Sequence, residues 1–141
     1  MIILAVDYGD VRTGIAICDK FEMLASPVCM INQEDSEKLI EEIGILAQKY
    51  KAEQIVVGLP KNMDSSLGSR AQKCIEFAQA LSEATNINCV MRDERLSTVS
   101  AHNILNATNT RGKKRKAVVD QVAAVMILQD YLDYRRLNNL N

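Results

Sequence analysis

Ile2-Ile3-Leu4-Ala5-Val6-Asp7-Tyr8-Gly9 sets an unbroken apolar run directly before a carboxylate. A run this short, apolar on both faces and rich in Ile and Val, has the composition of a strand buried in the middle of a sheet. An acid at the end of such a strand serves no packing purpose. A buried carboxylate is costly unless a hydrogen-bond donor, a cation or a metal answers it. Gly9 follows at once, where the backbone can turn tightly or let a ligand approach. Asp7 is therefore expected to be half-buried in order to hold a metal ion, and its co-ligands must come from elsewhere in the chain.

Outward from this strand, Asp10-Val11-Arg12 is a candidate tight turn and Thr13 to Cys18 a second strand. Asp19-Lys20 makes another turn, and Glu22 to Ile31 reads as a third strand. Pro27 has no amide hydrogen, which marks an edge position or a bulge. Three strands joined by short polar turns imply an antiparallel meander. The pattern then becomes helical. Asp35 or Ser36 can cap a helix carrying Leu39, Ile40, Ile43, Leu46 and Tyr50. Ile55 to Pro60 is a second buried strand, followed by a polar loop from Lys61 to Gly68 and a helix from Ser69 to about Thr85. Asn88 to Met91 is a short strand ending in Arg92-Asp93-Glu94-Arg95, and Ser97 caps a helix carrying Ala101, Ile104 and Leu105. The basic stretch Arg111-Gly112-Lys113-Lys114-Arg115-Lys116 reads as part of a mobile loop. A last helix is predicted from about Ala117 to Arg135, well buried against the sheet.

A meander followed by alternating helices and strands is an α/β plan in which the crossovers make parallel pairs. The first strand, the one at Ile55 and the one at Val90 should be parallel. Their C-terminal ends, with Asp7, Gly58 and Glu94, should then share one edge, where sites in open α/β sheets form.

The chain has 141 residues, 48% hydrophobic and 25% charged, which suits one domain over 1–136 with a polar tail at 137–141. No apolar run approaches a membrane span, and the first run is too short for a signal peptide, so a cytoplasmic protein is expected. The net charge of −1 argues against broad coating of nucleic acid but leaves room for a local basic patch. Cys18, Cys29, Cys74 and Cys89 are far apart and set among apolar residues, which favours structural free thiols over a thiolate metal site. His102, the single histidine, reads as exposed helix surface.

Three acids stand out. Asp7 ends the first strand, Glu94 follows the last parallel strand, and Asp120 lies in the first turn of the predicted apolar last helix. Oxygen ligands from several elements suit magnesium or manganese. Each acid also has a plainer reading. Asp120 could favour the positive end of its helix or pair with Lys116, and Glu94 could pair with Arg92 or Arg95.

Val6-Asp7-Tyr8-Gly9 with Arg12 and Gly14, Val57-Gly58-Leu59-Pro60 with Asn62-Met63-Asp64, Asp93-Glu94-Arg95-Leu96-Ser97-Thr98, and Val119-Asp120 with Ala123-Ala124 together resemble the YqgF family. Its members are pre-16S rRNA nucleases, also described as Holliday-junction-resolvase-like proteins, and the likeness spans nearly the whole chain. The resemblance implies a ribonuclease-H-like fold, with a mixed five-stranded sheet flanked by helices. It also implies a metal-dependent nuclease whose catalytic and metal-holding acids match Asp7, Glu94 and Asp120, using Mg2+ or Mn2+, with two ions expected.

The expected substrate is nucleic acid, with precursor rRNA favoured over branched DNA, and ribosomal particles are candidate partners. Arg12, Asn62, Asp64, Arg70, Arg95, Lys113, Lys114, Arg115 and Lys116 are candidate substrate contacts. Arg70 could equally be a helix-surface residue, and the basic run could be a solvated face. No membrane partner is expected, and the assembly is a monomer or a homodimer. Two rivals remain open. The first strand and turn also resemble the phosphate loop of actin-like kinases and chaperone ATPases, and a non-catalytic nucleic-acid-binding factor could carry the same acids.

Overall fold

The computed structural model describes residues 1–60, 68–93 and 112–138, with backbone alone for 112–121. Five strands form one sheet: β1 (Ile3–Asp7), β2 (Arg12–Cys18), β3 (Ala25–Asn32), β4 (Gln54–Leu59) and β5 (Asn88–Asp93). Their spatial order is β3-β2-β1-β4-β5. β1–β2 and β2–β3 are antiparallel, whereas β1–β4 and β4–β5 are parallel, as the meander and the crossovers require. β3 starts at Ala25 rather than Glu22, because Glu22 has φ 57°, a left-handed backbone that ends any extended run there. Pro27 lies on this edge strand. The β2–β3 register shifts opposite it, since Ile15 pairs with Cys29 while Ala16 pairs with Pro27. An edge position and a bulge both accommodate the missing N–H.

Helices α1 (Ser36–Tyr50), α2 (Ser69–Thr85) and α3 (Gly112–Leu137) cover the sheet. Asp35 caps α1, its Oδ1 accepting from the amides of Glu37 at 2.9 Å and Lys38 at 3.3 Å. α1 and α2 cover one face, over Leu4, Val6, Ile15, Ile55 and Val57. α3 covers the other, over Ile3, Ala5, Ala16, Cys18 and Val56. β1 therefore alternates between two cores, and this explains why it is apolar throughout. Full burial of each Ile or Leu in these layers contributes about 1.5–3 kcal/mol. The α3 stripe is Ala124, Ile127, Leu128, Tyr131, Leu132 and Arg135, all buried and at the i, i+3, i+4 spacing of a single helix face.

One expectation is corrected. Lys113 to Lys116 do not belong to a loop: α3 begins at Gly112, and the helical backbone includes them. Lys and Arg are good helix formers, and the strong helix propensity of this run prevails over its charge. Asp120 consequently stands in the third turn of its helix rather than the first. The helix-dipole reading of that acid weakens accordingly, because the effect fades beyond the first turn. The expected helix opened by Ser97, with His102, and the loop residues 61–67 and 106–111 lie outside the described residues.

Candidate active site

The parallel strands bring three C-terminal ends to one edge. Val6 pairs with Val57, so Asp7 stands level with Gly58, and Gly58 pairs with Arg92. β5 ends at Asp93, the residue before Glu94. With strands about 4.8 Å apart, the ends of β1 and β5 are separated by roughly 10 Å across β4.

Asp7 is half-buried and pairs with Gly14 of β2. It lines an open cleft of about 560 Å³ together with Tyr8, Gly9, Asp10, Val11, Arg12 and Arg70. The turn beneath this cleft is closely packed. A Cβ built on Gly9 would meet the Arg12 carbonyl oxygen at 1.9 Å, so only glycine fits there without a shift of the backbone. The Gly9 amide donates to Thr13 Oγ1 at 3.2 Å, and Thr13 is fully buried. This is the physical content of the Asp-x-Gly signal: the glycine lets β1 reverse into β2 directly after the acid.

Of the candidate substrate contacts, Arg12 and Arg70 line the cleft. Arg12 opens β2 and pairs with Asn32 of β3. Arg70, in the first turn of α2, donates from Nη2 to the Tyr8 carbonyl and from Nη1 to Asp10 Oδ1 at 2.7 Å. Lys73 Nζ lies 3.8 Å from the same carboxylate. The Tyr8 ring stacks on Phe77 with centroids 4.1 Å apart, and the Arg70 guanidinium lies 5.0 Å from its centre. Burial pushes the Tyr8 phenol up, with Arg70 partly offsetting the effect, so the phenol stays neutral at neutral pH. The Tyr8–Phe77–Arg70 stack is invisible to periodicity, because its members come from a strand end and a helix brought together only by the fold. The one signal was the two-turn spacing of Arg70 and Phe77.

Arg92 pairs with Asp130 of α3 at 2.7 Å and lies 4.6 Å from the centre of the Tyr134 ring. It is thus engaged by α3. Glu94, Arg95, Asn62 and Asp64 lie outside the described residues. The side chains of Lys113, Lys114, Arg115, Lys116 and Asp120 do as well.

The C-terminal half of α3 is anchored to the sheet by two side chains. Tyr131 Oη donates to Gln54 Oε1 at 3.0 Å at the start of β4, and Arg135 Nε donates to Glu22 Oε1 at 2.6 Å beside the β2–β3 turn. Both anchors lie towards the N-terminal ends of the parallel strands.

Among the described residues no group of three or more His, Cys, Asp or Glu could hold a metal ion, and the carboxylates that line the cleft are Asp7 and Asp10. The chemistry of Asp7 fits a hard divalent ion: a carboxylate at the rim of an open cleft, with no sulfur among the lining residues. The cysteines lie elsewhere. Cys18 and Cys74 are buried, and burial pushes Cys89 up to about 11, so it is a protonated, inert thiol.

Residues 1–134 match the model of the family described as RuvX, Holliday junction resolvase. A protein of Halothermothrix orenii named "Putative pre-16S rRNA nuclease" is 46% identical over 135 residues, covering 96% of each chain. A protein of the same name from Desulfitobacterium hafniense is 42% identical over 139 residues, covering 99% of this chain and 96% of its own. Among solved structures, Thermus thermophilus RuvC in complex with a Holliday junction superposes with a TM-score of 0.63 at 10% identity, over 98% of this chain and 96% of that one. The fowlpox virus Holliday junction resolvase superposes with a TM-score of 0.57 at 14% identity, over 95% and 99%. These two likenesses establish the ribonuclease-H-like fold expected from the sequence.

Proposed function

The chain belongs to the RuvX family, described as Holliday junction resolvases, and from that premise we propose that it is a divalent-metal-dependent nuclease that processes the ends of pre-16S ribosomal RNA. The observation that carries the reading is Asp7. It is a half-buried carboxylate at the C-terminal end of a central strand, facing an open cleft with Arg12 and Arg70 on its walls. Glu94, which follows Asp93 in the sequence, and Asp120, on α3, are its proposed co-ligands for Mg2+ or Mn2+, with two ions in the working scheme. Such ions, when bound, polarise the scissile phosphoryl oxygen and lower the pKa of the attacking water.

The residues of the chain then have separable tasks. Asp7 supplies a fixed, oriented oxygen ligand, because Gly9 and Thr13 hold the turn behind it. Arg12 meets a backbone phosphate at the cleft mouth. Lys113, Lys114, Arg115 and Lys116, on the first turns of α3, grip the strand through salt-dependent phosphate contacts. Arg95, Asn62 and Asp64 are proposed substrate neighbours on the same edge. Ribosomal particles are the proposed setting and the cytoplasm the proposed compartment. Among the described residues no helix is long and apolar enough to cross a membrane.

Precursor rRNA is favoured by the names of relatives that cover nearly the whole chain at 42–46% identity. The family description favours a second reading, cleavage of branched DNA, which needs two active sites and hence a homodimer. The deciding experiment incubates the protein with precursor 16S rRNA, single-stranded RNA and a four-way DNA junction, each with Mg2+, Mn2+ or chelator. Trimming of the precursor, lost on chelation, is expected. Paired nicks in the junction alone would move the assignment to the resolvase, and cleavage indifferent to chelator would remove the metal.

A further inference from the structure

We propose that Arg70 is a positioning residue: its guanidinium fixes the β1–β2 turn and, through it, the angle at which Asp7 is presented to the cleft. The inference rests on the reading of Asp7 as a catalytic carboxylate. Arg70 reaches the turn from α2, far away in sequence, and touches it three times. Nη2 donates to the carbonyl of Tyr8, the residue directly after Asp7. Nη1 donates to the Asp10 carboxylate at 2.7 Å. The guanidinium carbon lies 5.0 Å from the centre of the Tyr8 ring.

That ring is itself stacked on Phe77, 4.1 Å away and within 4° of parallel. Arg70 and Phe77 are two turns apart on α2, about 10.5 Å along its axis. Phe77 stacks on the ring and the Arg70 guanidinium lies against it as well, so α2 holds Tyr8 through two side chains. Gly9 is held separately by Thr13. Three consecutive residues after Asp7 are therefore fixed: Tyr8 by carbonyl and ring, Gly9 by its amide, and Asp10 by its carboxylate.

Only a planar, forked cation can serve a carbonyl, a carboxylate and a ring face together. A lysine supplies one point charge instead. Stability does not account for the arrangement. The Arg70 side chain is 36% exposed and that of Asp10 65%, and an ion pair so exposed contributes little to folding. What the clamp controls is position, and a displacement of about 1 Å at a reacting group lowers a rate about 100-fold.

The rival role is direct phosphate contact, with Asp10 merely occupying Arg70 until substrate arrives. Arg70→Met, Arg70→Lys, Asp10→Ala and the double variant Asp10→Ala/Arg70→Met separate the two. The readouts are cleavage at several salt concentrations and hydrogen exchange of the amides of residues 8–13. Positioning predicts a kcat about 100-fold lower in Arg70→Met with KM and its salt slope unchanged. It also predicts little rescue by lysine, a double variant no worse than Arg70→Met, and faster exchange in the turn with the melting temperature retained. A raised KM with a salt slope shallower by about one, or tighter substrate binding by Asp10→Ala, overturns the proposal in favour of a phosphate contact. Exchange unchanged in both Arg70 variants overturns it too, and needs no activity to be seen. If the wild type cleaves nothing, the reading of Asp7 fails on its own, while the exchange result still decides whether Arg70 holds the turn.

Discussion

Replacing Gly9 with alanine tests the link between the turn and the chemistry. The added Cβ would lie 1.9 Å from the Arg12 carbonyl oxygen, whereas real Cβ atoms keep at least 3.0 Å, so the backbone must yield by about 1.1 Å or more. The obstacle is main chain, not the tip of a flexible side chain, and cannot rotate away. Overpacking of this kind costs about 1–3 kcal/mol of stability. The shift falls two residues from Asp7, where a misplacement of about 1 Å costs about 100-fold in rate. The assay is single-turnover cleavage of precursor rRNA beside a urea titration. Gly44→Ala, in α1, is the matched control: the new Cβ meets Thr85 Cγ2 of α2 at 3.6 Å, an ordinary contact. Removing a helical glycine there should stabilise the protein by about 0.5–1 kcal/mol without touching activity. A Gly9→Ala protein that melts and cleaves like the wild type would refute the reasoning.

Other outcomes follow from the packing. Glu22→Ala deprives Arg135 of its carboxylate in a pair whose side chains are only 6% and 9% exposed, and should cost about 3–5 kcal/mol in a urea titration. Cys89 should resist iodoacetamide at pH 8 in the folded protein and react on unfolding. Its folded pKa of about 11 lies above the ordinary 9.0, so between those values the unfolded chain loses the proton first, and stability falls as pH rises through that window. Cys89→Ala should flatten this part of the urea midpoint against pH curve.

The sheet was legible because β1, β4 and the meander carry their burial in their composition. The apolar run before Asp7 is apolar on both faces for the reason found, a core on each side. Pro27 pointed to an edge position or a bulge, and the strand has both. The basic run before Asp120 reads as loop from its charge alone, yet its residues favour helix and the backbone there is helical. The clamp on the turn was out of reach for a different reason. Arg70 donates to a carbonyl 62 residues away, and neither spacing nor hydropathy encodes which helix end will meet which strand end. The buried Glu22–Arg135 pair, 113 residues apart, was hidden in the same way.

The central claim is that Asp7 is the carboxylate on which cleavage depends. Asp7→Asn keeps the shape of the side chain and removes its charge, so it should fold like the wild type at the end of β1. The direct measurement is the Mg2+- or Mn2+-dependent cleavage rate of this variant on precursor 16S rRNA, with substrate affinity measured on the same preparation. Loss of cleavage with affinity retained is predicted; cleavage at the wild-type rate would contradict the account.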